Sequence, residues 1–297
     1  IPHDLYPRNT RTMVDIRDIE NPGLDSNVLL MPWAKKHLEI PEKWEKFAVE
    51  RLPETVRIQD LHHDSAIIRK ILLKMGAKPL PWFEQGWVLP WPRQRATDVK
   101  DGELIRNLHH TGRLTLQEAA SMLPPLIMDP QKNEIIIDLC AAPGSKTTQI
   151  AELSMDEAAI LANEANRGRA NMLSTNRKRL GLKSVIITTG DGRHYPRIPA
   201  PGADKILVDA PCTGTGTTRK NPSIWWTWKP QQAVRMHNLQ VNLMLRASNL
   251  IKGGGMIVYS TCSIDPIENE AVVAEILHRC PWMTLEKIDQ KKVEKKF

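Results

Sequence analysis

Two of the four cysteines stand where a thiol can do chemistry. Cys212 follows an apolar run in Asp209-Ala210-Pro211-Cys212, and Cys262 ends another in Tyr259-Ser260-Thr261-Cys262-Ser263. A single cysteine at a strand end is more often a small buried hydrophobic residue. Two at the ends of adjacent strands, with a carboxylate beside one of them, favour a thiolate nucleophile. A helix predicted to begin near Pro266 would place its N-terminal dipole beside Cys262 and stabilise that thiolate.

A loop of small residues follows the predicted strand that ends at Asp138. Small side chains let the backbone approach a ligand closely, and the N-terminus of the next helix offers free N–H groups. The pattern is neither a dinucleotide-binding G-x-G-x-x-G nor a Walker loop. By itself it fits either a cofactor loop or a tight strand–helix turn. Its residues are Cys140, Ala141, Ala142, Pro143, Gly144, Ser145 and Lys146.

Acidic residues end or follow four successive predicted strands. They are Asp138, Glu164, Asp191 and Asp209. One such residue is usually a turn former or a helix cap. A carboxylate at the second strand end can also accept hydrogen bonds from ribose hydroxyls, as Glu164 would here. The set of four therefore predicts a polar pocket for a nucleoside-bearing ligand.

These residues are positioned by buried strands that alternate with helices. Such alternation predicts an α/β fold with a doubly wound, mostly parallel sheet. The predicted strands are Glu134–Leu139, Ala159–Glu164, Ser184–Gly190, Lys205–Asp209 and Gly255–Cys262, and the main helices are Arg167–Leu180 and Gln231–Leu250.

A smaller α+β accessory region precedes this sheet. Apolar spacing predicts a helix over Ser65–Met75 that stops at Gly76. Residues 78–94, rich in Pro and Trp, are predicted to be irregular or an edge strand. A short helix is predicted over Thr115–Leu123, capped by Thr115 and ended by Pro124-Pro125. We expect an N-terminal extension over 1–50, an accessory RNA-binding region over 51–130 and a catalytic domain over 131–297.

Composition and charge narrow the function classes. The 297 residues are 41% hydrophobic and 25% charged, which suffices for a core, and no apolar run is long enough to predict a membrane span. Residues 1–130 carry 18 basic and 18 acidic residues, whereas residues 131–297 carry 23 and 16. A basic half favours a polyanion such as nucleic acid, although a merely basic surface is an equal alternative.

The cysteines and the chain ends add further expectations. Four cysteines without C-x-x-C or zinc-finger spacing predict no structural metal and a reducing intracellular compartment. Because the chain begins with Ile1 rather than Met, we expect an N-terminal piece to be missing. We also expect the last strands of the sheet to be absent, since the chain stops soon after Thr284–Ile288.

Three motifs resemble the signatures of the Nop2/Sun family of RNA cytosine-5 methyltransferases: Asp138-Leu139-Cys140-Ala141-Ala142-Pro143-Gly144-Ser145-Lys146-Thr147, Asp209-Ala210-Pro211-Cys212 and Ser260-Thr261-Cys262-Ser263. The likeness covers roughly residues 50 to 280. Four further segments resemble the family's eukaryotic, multisite tRNA-directed branch. These are Leu52–Ile58, Ser121–Leu126, Gly214–Asn221 and Pro266–Val272.

The resemblance implies a Rossmann-like fold, S-adenosylmethionine as cofactor and RNA, with tRNA favoured, as substrate. It implies that Cys262 is the nucleophile and that Cys212 assists product release. Asp209 would contact the target cytosine and lie by the methyl donor, and Lys146 would point toward the reacting base. Residues 140–146, Glu164 and Asp191 would hold the cofactor. DNA cytosine methyltransferases use the Pro-Cys thiol as nucleophile, so the additional Thr-Cys favours RNA.

The chemistry accounts for a thiol. Carbon 5 of cytosine is a weak nucleophile, and a thiolate that adds to carbon 6 turns the ring into an enamine. A neutral Asp that donates to N3 would stabilise the charge that develops. After transfer, the proton at carbon 5 and the thiol must both leave, and a second thiol would assist.

Other side chains are candidates for RNA contact. Arg169, Arg177 and Arg179 lie on one basic helix, whose face suits either phosphate or solvent. Arg219 and Lys220 follow the Cys212 loop, which favours RNA contact. Trp225, Trp226 and Trp228 suit base stacking, although core packing is favoured. His62-His63 and His109-His110 lack acidic or cysteine partners at metal spacing and are taken as ordinary histidines.

Four functions remain open from sequence. The first is a tRNA cytosine-5 methyltransferase, and the second is the same enzyme acting on ribosomal RNA. The third is an RNA-binding scaffold without turnover. The fourth, a redox protein that uses Cys212 and Cys262, is disfavoured by their separation of 50 residues. We expect a monomer without a membrane partner, in the nucleus or nucleolus rather than the cytoplasm.

Overall fold

The computed structural model describes Leu30, Trp33, Ala34, Leu38, Phe47, Ala48 and residues 50–93 and 99–288. It contains two compact units. The larger unit includes Leu52–Asp209 and Asn249–Tyr259, and the other includes Ala210–Ser248, Ser260–Lys287 and the described residues up to Arg51. Among the described helices, none has both the length and the apolar character needed to cross a membrane. The domain boundaries proposed from sequence stay a prediction.

The larger unit begins with a four-stranded antiparallel sheet in the order β2-β3-β1-β4. Its strands are β1 (Pro53–Ile58), β2 (Lys78–Leu80), β3 (Phe83–Pro92) and β4 (Leu114–Leu116), and its helices are α1 (Ser65–Lys74) and α2 (Gly102–His110). Alternate apolar residues of β1, among them Val56 and Ile58, pack with Ile68 and Leu72 of α1 and with Trp87 of β3 in one buried cluster. This packing follows from the period of two in the strands and the helical spacing in α1.

The sequence predicted this region in part. The helix expected over Ser65–Met75 is confirmed. Within the predicted stretch 78–94, of which residue 94 lies outside the described residues, β2 is an edge strand as expected, whereas β3 is an internal strand and more regular than expected. The register of β1 against β3 shifts between Pro53 and Thr55, opposite the stretch that holds Pro90, and such an irregularity tolerates the missing N–H of proline.

The helix predicted over Thr115–Leu123 is wrong. Thr115 lies in β4, where it pairs with Arg57 of β1. A 3₁₀ helix over Ala119–Met122 leads into α3 (Leu123–Met128). Pro124 and Pro125 therefore begin a helix instead of ending one, since the first helical N–H groups have no intrahelical partner to lose.

The second sheet of the larger unit has five strands in the order β7-β6-β5-β8-β9. They are β5 (Ile135–Asp138), β6 (Ala159–Glu164), β7 (Val185–Thr189), β8 (Ala203–Asp209) and β9 (Ile251–Ser260), with helices α4 (Ser145–Leu153) after β5 and α5 (Arg167–Arg179) after β6. The pairs β5–β6, β6–β7 and β5–β8 are parallel. The doubly wound α/β prediction is thereby confirmed, and the strand order reverses between β5 and β8, where ligands of such sheets bind.

The other unit is mainly helical. Its helices are α6 (Ile224–Thr227), α7 (Pro230–Ser248) and α8 (Glu270–Arg279). Trp228 is buried against Trp33, with the ring centroids 4.7 Å apart, so the prediction of core packing holds for Trp228. It is wrong for Trp226, whose side chain is 65% exposed. The helix expected near Pro266 begins at Glu270, four residues later.

Candidate active site

Asp138, at the end of β5, forms hydrogen bonds with both ends of the small-residue loop. Its side chain is 1% exposed, and its two oxygens accept hydrogen bonds from Thr147 Oγ1 at 2.7 Å and from the Cys140 N–H at 3.3 Å. Burial raises the pKa of Asp138 to about 7, against the opposing effect of the Thr147 hydrogen bond, and Asp209 raises it further. At neutral pH this carboxyl group is therefore partly protonated.

The loop itself is held by helix α5. Arg169 Nη2 donates to the carbonyl of Ala142 at 2.5 Å, and Asn176 Nδ2 donates to that of Pro143 at 2.8 Å. Gly144 precedes α4 with φ +109°, and a Cβ there would lie 2.7 Å from Leu173 Cδ1. Only glycine adopts this backbone conformation without strain at so close an approach. The loop is thus fixed in shape.

Glu164 ends β6 and faces the same loop. Its side chain is 4% exposed; it accepts from the Ala142 N–H at 3.3 Å and the Asn166 N–H at 2.9 Å, and lies 3.7 Å from the Arg169 guanidinium. Each oxygen of Glu164 accepts one backbone N–H, which leaves further lone pairs that can accept hydrogen bonds from the hydroxyl groups of a ligand.

Asn163 is a residue that sequence reasoning missed. Its side-chain amide donates to the carbonyl of Leu139 at 3.2 Å and to that of Gly190 at 2.9 Å. It therefore ties the carboxyl ends of β5 and β7 together. Only its place beside Glu164 in a buried strand could have drawn attention to it.

Asp191 follows β7 and caps a short 3₁₀ turn. It accepts from the Arg193 N–H at 3.0 Å and forms an ion pair with the Arg193 guanidinium at 2.6 Å. The Arg193 hydrogen bond holds the pKa of Asp191 below its ordinary value, so this group stays ionised. It is both a cap and an exposed acceptor.

Lys146 and Asp209 meet across the point where the strand order reverses. The Lys146 ammonium lies 2.7 Å from Asp209 Oδ2, which joins the first turn of α4 to the end of β8. Cys140 lies nearby; burial raises the pKa of its thiol, and Asp138, Asp209 and Glu164 raise it further. Cys140 is therefore a poor nucleophile.

These residues fit the expected cofactor. Asp138, Glu164 and Asp209 all raise the pKa of the Cys140 thiol, so three acidic groups surround the loop, beside the cations of Lys146 and Arg169. S-adenosylmethionine carries an ammonium, a sulfonium and ribose hydroxyls, all of which favour carboxylate partners. The small side chains of Ala141 and Ala142 add little bulk at the loop, which suits the close approach of a ligand.

The two candidate thiols form a pair in the helical unit. Cys212 Sγ and Cys262 Sγ are 2.8 Å apart, and the Cys262 N–H donates to Cys212 Sγ at 3.3 Å. The neighbouring Cys262 sulfur and burial hold the pKa of Cys212 well above its ordinary value, so Cys212 keeps its proton. Cys262 is the exposed member of the pair. The 50-residue separation that weighed against a redox protein therefore does not keep the two thiols apart.

The helix dipole predicted beside Cys262 is absent. Because α8 begins only at Glu270, a turn containing Asp265 and Glu268 follows the thiol instead. Burial raises the pKa of Asp265 to about 6, with smaller contributions from Glu268 and Glu270. The first residue of α8 lies eight positions after Cys262, so the prediction of a helix N-terminus directly at the thiol is wrong.

The arginines predicted to bind RNA are directed largely at the protein. Arg177 Nη1 donates to the Val185 carbonyl at 3.0 Å, and Arg179 Nη1 to the His109 carbonyl at 2.6 Å. Arg219 donates to the carbonyls of Glu50 and Arg51 at 2.9 and 3.1 Å. These bonds favour structural roles. Contact of RNA with Arg169, Arg177, Arg179, Arg219 and the exposed Lys220 stays a prediction.

The statement that His62 and His63 lack an acidic partner is wrong. Asp64 Oδ1 lies 2.6 Å from His62 Nδ1, and ligand atoms of all three residues lie within 4.8 Å of one another. Asp64 also accepts from Arg113 Nε at 2.6 Å. An arginine on the same carboxylate favours an ion-pair cluster over a cation site.

Comparison with known proteins agrees with this geometry. The family model described as 16S rRNA methyltransferase RsmB/F matches residues 125–296. A tRNA (cytosine(49)-C(5))-methyltransferase of Pyrococcus abyssi is 37% identical over 244 residues, which cover 82% of this chain and 76% of that protein. A multisite-specific tRNA:(cytosine-C(5))-methyltransferase of Saccharomyces cerevisiae is 37% identical over 221 residues, or 67% of this chain and only 32% of the yeast protein.

The fold has the same relatives. A crystal structure of a methyltransferase homologue from Pyrococcus horikoshii superposes with a TM-score of 0.66 at 32% identity, covering 83% of this chain and 75% of that one. The family model covers more than half of the chain, and the archaeal relative matches most of it. The chain therefore belongs to the RsmB/F family, also called Nop2/Sun, of S-adenosylmethionine-dependent methyltransferases.

Proposed function

We propose that this chain methylates carbon 5 of cytosine in tRNA, with Cys262 as the nucleophile and Cys212 as the residue that aids release. The observation that carries the proposal is the thiol pair, whose sulfur atoms are 2.8 Å apart with only one of them exposed. Relatives of the chain are RNA cytosine-5 methyltransferases of the tRNA and ribosomal RNA types, which supports the reaction class.

The exposed Cys262 performs the first step. Its thiolate adds to carbon 6 of cytosine, and the electron pair of the carbon 5–carbon 6 double bond makes carbon 5 nucleophilic. S-adenosylmethionine, when bound, supplies an electrophilic methyl group. Transfer of the carbon 5 proton to water then leaves its electron pair to restore the carbon 5–carbon 6 double bond, and Cys262 departs as a thiolate.

Cys212 assists that departure. Because the pKa of Cys212 is raised, its S–H remains available to donate a hydrogen bond to the Cys262 sulfur. Such a bond stabilises the leaving thiolate more than the neutral thioether, so it favours breakage of the carbon 6–sulfur bond. The two thiols thus have different proposed roles.

Lys146 and Asp209 are proposed to bind the base. Their ion pair offers an ammonium donor and a carboxylate acceptor, which complement cytosine N3 and its exocyclic amino group. The Lys146 ammonium donates to Asp209 with one of its three N–H groups, so a second is proposed to donate to N3 in place of the neutral aspartic acid expected from sequence. The loop 140–146, Glu164 and Asp191 are proposed to hold the cofactor.

The substrate is proposed to be tRNA, bound by a monomer. The alignment with the archaeal tRNA-modifying relative covers 82% of this chain. Residues 131–297 carry the excess of basic residues that binding of a polyanion favours. Ribosomal RNA is the second candidate, because the matching family model is described as a 16S rRNA methyltransferase.

Methyl transfer from tritium-labelled S-adenosylmethionine tests this function. Unmodified tRNA and small-subunit ribosomal RNA transcripts are incubated with the chain and with Cys262→Ala, and the labelled nucleoside is identified. We expect 5-methylcytidine in tRNA with the wild-type chain and none with the variant. Label confined to ribosomal RNA would replace tRNA as the substrate, and RNA binding without any transfer would favour the scaffold.

A further inference from the structure

Glu268 is buried in the unit that carries both thiols, and it contacts the residue after each of them. Its side chain is 0% exposed. One oxygen accepts hydrogen bonds from the hydroxyls of Thr213 and Ser263, the latter at 2.6 Å. The other accepts from the Thr213 N–H at 2.9 Å and from Gln240 Nε2 at 3.0 Å. One carboxylate thus fixes the chain beside Cys212 and beside Cys262.

Helix α7 also contacts Glu268, through Gln240. Gln240 Nε2, which donates to Glu268, also donates to the carbonyl of Pro211 at 2.9 Å. Pro211 precedes Cys212 just as Thr213 follows it, so the loop is held on both sides of the thiol. The Thr215 and Ser263 hydroxyls are 2.9 Å apart, which adds a direct link between the two loops.

This arrangement suits positioning and not proton transfer. Both oxygens of Glu268 face donors of the protein, and none of its side-chain surface reaches solvent. Four hydrogen bonds to one buried carboxylate leave its side chain little freedom, so the local geometry is stiff. Reactive groups that must meet within a few tenths of an ångström depend on this kind of support.

We propose that Glu268 is a positioning residue that holds the Cys212 and Cys262 loops together and so keeps the two sulfur atoms paired. Its effect on methyl transfer rests on the proposed function, whereas the pairing of the thiols does not. Glu268 touches neither the base nor the cofactor in this role; it acts through Thr213 and Ser263.

The thiol–disulfide equilibrium with glutathione measures the pairing directly. Oxidised glutathione accepts two electrons, the two thiols lose two protons, and one Cys212–Cys262 disulfide and two molecules of reduced glutathione result. The disulfide is quantified by mass spectrometry of the linked peptides across a range of glutathione ratios. The equilibrium constant gives the effective concentration of one thiol at the other.

Three variants separate positioning from general loosening. Glu268→Ala should lower the equilibrium constant at least about tenfold, because effective concentration falls steeply when geometry loosens. Glu268→Gln should stay near wild type, since its amide can donate to the two hydroxyls while its carbonyl accepts from Thr213 and Gln240. Glu275→Ala, which loses its contacts with His237 of α7 and Arg279 of α8, is the matched control and should not change the equilibrium constant.

The outcomes are distinguishable. A wild-type equilibrium constant in Glu268→Ala, or an equal fall in Glu275→Ala, would overturn the proposal. If Glu268→Ala does not fold, Ser263→Ala removes one donor and should lower the constant in the same direction; an unchanged constant there would also overturn it. If Glu268→Ala disrupts pairing while even the wild-type chain transfers no methyl group, the proposed function fails and the positioning role stands.

For an active wild-type chain, Glu268→Ala should reduce kcat by about 100-fold, the loss expected when reacting groups are misplaced by about 1 Å. The dissociation constant for S-adenosylmethionine should stay unchanged, and Glu268→Gln should recover most of kcat. A rise in that dissociation constant with unchanged kcat would contradict a role at the thiols.

Discussion

Removal of the Arg57 guanidinium should strongly destabilise the larger unit. Arg57 lies in β1 and is 1% exposed, and its partner Glu152, in α4, has a side chain 8% exposed. Nε and Nη2 donate to the two Glu152 oxygens at 2.9 and 2.8 Å. The remaining donors reach Gln117, the Ser145 carbonyl and Thr148, so all five N–H groups are used.

The loss of unfolding free energy depends on the buried Glu152 carboxylate that remains. Arg57→Met keeps an unbranched apolar stem of similar course but leaves the Glu152 carboxylate buried without its cation. Breaking a buried ion pair from one side costs about 3–5 kcal/mol. We expect the free energy of unfolding in urea, followed by tryptophan fluorescence, to fall by that amount. In Arg57→Met/Glu152→Leu no buried charge remains, and the double variant should be more stable than Arg57→Met alone.

The pH dependence gives a second check on the same pair. Burial raises the pKa of Glu152 above its ordinary 4.5 even though Arg57 lowers it. The folded state therefore holds this proton more tightly than the unfolded state, and stability is lost as pH rises above about 4.5. Without Arg57 the pKa rises further, so the deficit of Arg57→Met should be larger at pH 8 than at pH 5. An Arg57→Met chain within about 1 kcal/mol of wild type, or a deficit independent of pH, would refute this reasoning.

Three further predictions concern single side chains. The side chain of Asp138→Asn cannot ionise, whereas the pKa of Asp138 is raised from 3.8 to about 7. As pH rises from 4 through 7, the wild-type chain should therefore lose up to about 4 kcal/mol of unfolding free energy relative to the variant, as measured in urea. Curves of unfolding free energy against pH that run parallel for the two chains would contradict this. Gly144→Ala should lower the free energy of unfolding by about 1–3 kcal/mol because of the φ of +109° and the contact with Leu173, and equal thermal midpoints would count against it. Trp228→Ala should cost about 3–5 kcal/mol, whereas Trp226→Ala should stay within about 0.5 kcal/mol, a contrast that chemical denaturation of the two variants measures.

The sequence predicted the elements that depend on local pattern. Buried β runs with acidic ends located β5, β6 and β8 to within two residues, because a fully buried parallel strand is a short apolar run bounded by turn signals. The region around Thr115 failed for the opposite reason. Thr115 and Glu118 match the sequence pattern of a helix cap, but Thr115 instead pairs with Arg57 in the antiparallel sheet. This tertiary pairing outweighed the local preference.

The supporting contacts of the candidate site could not be predicted. Glu268 reaches Thr213 across 55 positions, and Arg57 reaches Glu152 across 95. No spacing rule connects such residues, because their contact depends on how strands and helices pack. For the same reason the thiols were predicted to lie at adjacent strand ends, but not to lie in contact.

The most direct test of the central claim is whether a covalent bond joins cytosine to Cys262. The wild-type chain, Cys212→Ala and Cys262→Ala are incubated with substrate RNA and S-adenosylmethionine, separated on denaturing gels, and the linked peptide is sequenced by mass spectrometry. We expect Cys212→Ala to accumulate a covalent complex with RNA that is linked through Cys262, and we expect Cys262→Ala to form no such complex. A complex that persists in Cys262→Ala and is linked through Cys212 would assign the nucleophile to the other thiol and contradict the account.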